Sequence, residues 1–159
     1  MLALTTYFVV GGFHVIFVLL ALGVAFSFTF ISMAARKDPP HMLFALSVIR
    51  KIQETLVLPG LVLVFITGSY LASDGGWYDR PNHGWLIVGQ AWFVLAALAS
   101  AFLGYPAVKT MQREATKMAE NPGPPSAAFM AKAKLMKWLS PTISISVLGI
   151  AFLMEAKPF

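Results

Sequence analysis

The chain has 159 residues, 58% of them hydrophobic and only 12% charged, with a net charge of +5. Its mean hydropathy of +0.73 and pI near 9.7 exclude an ordinary water-soluble domain, which carries roughly 25% charged residues. The absence of cysteine excludes disulfides, thiolate metal sites, cysteine-ligated iron–sulfur clusters and haem attached through a CxxCH motif.

No charged residue occurs between Met1 and Ala35. About 20 apolar residues cross a bilayer, so a first transmembrane helix is expected at about residues 7–33. The run lacks a basic leader and is too long for the apolar part of a cleaved signal. Arg36, Lys37 and Asp38 end it, and Pro39-Pro40 mark a turn. Asp38 is placed to cap a short helix over 41–53, with Arg50, Lys51 and Glu54 at its end. The second uncharged run, 55–73, is the second span. Pro59 lies in its first turns, where a kink is expected. Asp74-Gly75-Gly76 break it, and a polar loop follows with Trp77, Tyr78, Asp79, Arg80 and His83. Trp and Tyr favour the membrane–water interface.

The third span is expected at 85–105, continuing past Pro106 as an exposed helix to Glu120. Asn121-Pro122-Gly123-Pro124-Pro125 is a strong break, and Ser126 can cap the next helix. That helix passes Lys132, Lys134 and Lys137 into a fourth span at 138–154, with Pro141 near the membrane surface. Residues 106–137 therefore read as a helical hairpin outside the membrane. The fold class is all-α, a single domain formed by an integral membrane bundle of four transmembrane helices.

Arg36, Lys37, Arg50 and Lys51 lie after the first span. Lys109, Arg113, Lys117, Lys132, Lys134 and Lys137 lie between the third and fourth. The positive-inside rule places these loops, 34–54 and 106–137, in the cytoplasm of a bacterial cell with the spans in its inner membrane. Both termini and the Trp77–His83 loop then face outward. The basic loops suit anionic lipid headgroups rather than nucleic acid.

His14 is the only histidine inside an apolar segment. An ionisable side chain there is costly and faces the bundle interior. Tyr7, Gly11, Ala21, Ala25 and Ser32 fall within about a quarter-turn of it, and small residues on that face permit close helix approach. At ~1.5 Å per residue, His14 lies about 33 Å from Arg36, near the outer edge of the hydrocarbon. Two readings are open. His14 ligates b-type haem or another metal, or it is a buried histidine bonded to a backbone carbonyl or to Gln90. A second axial ligand would come from Met154, from His83, or from His14 of a second copy. Gln90 shares a face with Ala97, Ala101 and Gly104 and is expected to look inward. Thr67, Gly68 and Tyr70 reach the same depth, and Gly60, Val64 and Gly68 form a packing stripe at four-residue spacing. The eight methionines form no spaced series for copper. No phosphate-binding loop, nucleophile elbow or HExxH is present, and the carboxylates lie in loops or at span ends.

Together, Gly11-Gly12-x-His14, Leu58-Pro59-Gly60, Thr67-Gly68-x-Tyr70, Gly84-Trp85-Leu86 and Met154-x-x-Lys157-Pro158 resemble a family of bacterial predicted integral membrane proteins of unknown function. That family is distantly similar to the membrane domain of the CopD copper-resistance proteins and to HemJ, a haem-binding protoporphyrinogen oxidase. The resemblance implies that His14 is tied to haem. HemJ-like chains place a basic residue early in the third span, where this sequence has Gln90, which counts against that oxidase reaction. The expected cofactor is haem b at His14, with Met154, Gln90 and Tyr70 as further site residues. Beyond the lipid bilayer, the expected partners are further copies of the chain or other membrane subunits. The alternatives are a non-catalytic accessory subunit of a respiratory or photosynthetic complex and, last, transport of a metal or small solute.

Overall fold

In the computed structural model, residues 2–37, 39–121 and 123–157 are described. Asp38, the expected cap, lies outside them, as do Pro122 and Pro158. Every regular element among the described residues is helical. The first long helix runs through α1 (Leu2–Val18), a wide π-turn (Leu19–Gly23) and α2 (Val24–Lys37). A short 3₁₀ turn, Pro39–His41, leads into α3 (Met42–Ile52). A π-turn over Gln53–Val57 joins it to α4 (Leu58–Asp74). The third long helix is α5 (Gly84–Ala99), a π-turn (Ser100–Gly104) and α6 (Tyr105–Glu120). The fourth, α7 (Ala127–Ala156), is α-helical throughout, with Pro141 inside it.

Two of the π-turns have a cause in the sequence. Proline lacks an N–H, and its ring crowds the carbonyl four residues back. Pro59 follows the turn at Gln53–Val57, and Pro106 follows the turn at Ser100–Gly104. Each turn is widened to i→i+5, with Leu58 N–H bonding Gln53 O and Tyr105 N–H bonding Ser100 O. The helix passes the proline through this widened turn. The short helix expected over 41–53 is consequently continuous with the second span.

Four helices are long and apolar enough to cross a membrane: Thr6–Ala35, Met42–Asp74, Gly84–Glu120 and Ala127–Ala156. Few of their residues are buried against one another. Phe8, Phe30, Phe44, Phe102, Trp138 and Phe152 are each at least 68% exposed. A soluble monomer does not present such a surface, whereas in lipid it is the solvent face. The main core joins Phe28, Ile49, Val57, Leu61, Val64, Phe93, Val108 and Ile150.

The helices pack up–down–up–down, and the two ends of the bundle differ. At the basic end α2 meets α3 and α7, α3 meets α6, and α6 meets α7. Ser126 caps α7 by accepting the Phe129 N–H at 3.1 Å, and its hydroxyl donates to Glu114 Oε2 at 2.8 Å. Glu114 also holds Lys117 at 2.6 Å, which clasps the turn between α6 and α7. At the His14 end the close pairs are α1 with α4 and α5 with α7. Phe65 on α4 stacks on Phe93 of α5, with ring centres 6.4 Å apart. Between those two pairs the bundle opens into a cavity.

Candidate functional site

The approach of α1 to α4 is set by glycine. A Cβ at Gly60 would lie 2.6 Å from Ala21 Cβ, and one at Gly68 would lie 3.0 Å from His14 Cε1. The stripe of Gly60, Val64 and Gly68 thus receives α1, with Ala21 fully buried. Seated on Gly68, the His14 ring has its Nδ1 2.8 Å from Thr67 Oγ1. The Thr67 hydroxyl carries one proton, and it donates that proton to the Leu63 carbonyl at 2.6 Å. The Nδ1–H tautomer of His14 would donate to Thr67, and the ring also hydrogen-bonds the Val64 backbone. That tautomer keeps its lone pair on Nε2, the arrangement found in ligating histidines whose other nitrogen is held by a neighbouring acceptor.

His14 lines an apolar cavity of about 460 Å³ between the two helix pairs. The walls include Tyr7, Phe65, Leu86, Phe93 and Ile150, and Trp77 and Trp85 lie toward the loop. Met154 and Gln90 line the same space. The Met154 side chain lies over Gly89, where an added Cβ would meet its methyl carbon at 2.7 Å. Gln90 does not bond His14. Its amide pairs with the Tyr78 hydroxyl, which donates to Oε1 at 3.0 Å and accepts from Nε2 at 2.7 Å. Tyr70 is 38% exposed and is not among the cavity-lining residues. His83 is held in its loop by donation from Nδ1 to the Arg80 carbonyl at 2.6 Å. Of the expected site residues, His14, Gln90 and Met154 share the cavity.

The profile of a family described as predicted integral membrane protein (DUF2269) matches residues 8–158. The chain belongs to that family. No match was found among curated proteins or among solved structures. The DUF2269 match reaches all four long helices and includes His14, Gln90 and Met154.

Sequence reasoning missed two features of this family member. One is a cationic cluster at the cavity, where Lys157 lines the space and lies over Trp77, and Arg80 packs on the same ring. The other lies at the opposite end. Glu54 accepts from Arg50 Nε and from the Tyr105 hydroxyl, both at 2.8 Å, and Arg50 Nη1 donates to Gln112 at 3.1 Å. The i,i+4 spacing of Arg50 and Glu54 was a visible signal, but Tyr105 and Gln112 join only through folding. Next to this cluster Gln53 is 4% exposed, and its Oε1 has no hydrogen-bond partner. Among the described residues, no three His, Cys, Asp or Glu side chains gather to hold a metal ion.

Proposed function

We propose that this multi-pass membrane protein holds b-type haem against His14 and takes part in membrane redox chemistry. The observation that carries the reading is a cavity-lining histidine whose Nδ1 is held by Thr67, the kind of contact that orients a ligating imidazole. A porphyrin brings four nitrogens of its own, so the protein need supply only axial ligands, and no protein-only metal cluster is required. The donor set fits. Imidazole and thioether are both established haem ligands, and His14 and Met154 line one cavity. Its apolar walls suit the macrocycle and exclude water. Bound haem would supply one-electron transfer at a potential set by its axial ligands and burial.

The distribution of Lys and Arg adds a direction. With the loops over 34–54 and 106–137 in the cytoplasm of a bacterial cell, the cavity opens toward the outer face of the inner membrane. The test is an absorbance spectrum of protein purified from haem-replete cells. A Soret band is expected, and His14→Ala should abolish or displace it while the helix content stays unchanged. No Soret band, or one identical in the variant, overturns the reading.

A further inference from the structure

Two cations lie against tryptophan rings beside the cavity, and neither is in an ion pair among the described residues. Arg80 Cζ lies 3.6 Å from the centre of the Trp77 ring. Lys157 Nζ lies 4.5 Å from the same ring and 5.9 Å from that of Trp85. The two ion pairs found among the described residues, Arg50–Glu54 and Lys117–Glu114, involve neither cation. Lys157 and both tryptophans line the cavity, and Arg80 stands behind that lining on the Trp77 ring.

The backbone supports a specific placement of Lys157. It is the only non-glycine residue with positive φ among the described residues, at φ 45° and ψ 55°. Its N–H closes α7 by bonding the Leu153 carbonyl at 3.1 Å. Glycine usually takes this position because a side chain there is strained. Here the left-handed residue is a lysine, and its ammonium lies over the two rings at the cavity mouth. A lysine serving only as a membrane anchor would extend toward the headgroups.

We propose that Lys157 and Arg80 bind the acidic groups of the cavity ligand, which is a flat amphiphile carrying carboxylates at one edge. The inference rests on the haem reading for the ligand's body and adds its charge: the carboxylates sit at the mouth while the macrocycle lies among the apolar walls. Trp77 holds both cations in place, because an ammonium or guanidinium near an indole face is attracted by the ring.

The probe is metal-free protoporphyrin, which has no iron for His14 to ligate, with its dimethyl ester as the uncharged control. Binding to the full chain in nanodiscs of zwitterionic lipid is followed by porphyrin fluorescence and tryptophan quenching. Wild type should prefer the diacid to the ester. Lys157→Gln together with Arg80→Gln should weaken diacid binding on the order of tenfold or more, as expected for loss of charge-assisted bonds, and leave ester binding unchanged. Equal wild-type affinity for diacid and ester overturns the proposal. So does diacid binding that the double variant leaves intact, or that only anionic lipid competes away through these cations. A His14-dependent Soret band with haem affinity insensitive to Lys157 and Arg80 leaves the haem reading standing and removes this one. Diacid binding through Lys157 and Arg80 without a Soret band does the reverse.

Discussion

At the scale of single residues, His14 and Thr67 decide the chemistry available in the cavity. The sequence marked His14, because a lone imidazole in an apolar run must find an interior partner. Of the two partners expected, a backbone carbonyl is present in Val64, whereas Gln90 is turned to Tyr78. The geometry adds Thr67, whose hydroxyl lies 2.8 Å from Nδ1 and itself back-bonds to Leu63. Thr67→Val keeps the side-chain shape and removes the acceptor. Haem affinity of that variant, measured by titration, should fall by about 10–100-fold, the usual effect of losing the group that orients a ligating histidine. An unchanged affinity would show that Nδ1 needs no such hold. The structure places Gln90 with Tyr78 and Tyr70 at the surface. Residue depth along a helix is readable from sequence, but the direction of each side chain depends on how its helix is rotated.

At the scale of elements, the bundle depends on where backbones come closest. Gly60 lets α4 take Ala21, and Gly149 lies so near Trp92 that an added Cβ would meet its ring at 2.5 Å. Gly60→Ala should destabilise the bundle by ~1–3 kcal/mol, the ordinary cost of overpacking, read as a lower unfolding temperature in detergent. Gly89→Ala is the control, since its only near neighbour is the flexible end of Met154. A Gly60→Ala protein as stable as wild type would mean that α1 and α4 are not pressed together there. The four-residue stripe of Gly60, Val64 and Gly68 was legible in the sequence because helical periodicity needs no tertiary information. The π-turns were not, since a proline near a span end announces a disturbance without saying whether the helix stops, kinks or widens. Neither was the Arg50–Glu54–Tyr105–Gln112 cluster, whose members come from two separate helices.

At the scale of the whole molecule, four apolar helices expose aromatic side chains around their circumference, and the two ends of the bundle each hold a cavity, the larger of the two lined by His14. The direction in which the bundle sits is testable because the chain has no cysteine. A cysteine placed at Asp79, in the loop beside the cavity, should react with an impermeant thiol reagent added to intact cells. One placed at Lys117, on the exposed part of α6, should react only after the membrane is opened. The opposite pattern would invert the bundle and turn the cavity to the cytoplasm.

The sequence by itself determined that the chain is helical, that it crosses a membrane in four spans, and that one imidazole is out of place among apolar residues. Those properties follow from run length, charge distribution and local composition, which lipid reads directly through transfer free energy. Only the tertiary structure decided that His14, Met154 and Gln90 border one space, that Thr67 meets the imidazole, and that Lys157 and Arg80 share Trp77. These arrangements join residues from different helices and a loop. Their meeting depends on helix rotation and on close approach at a few glycines, which no local stretch of sequence encodes.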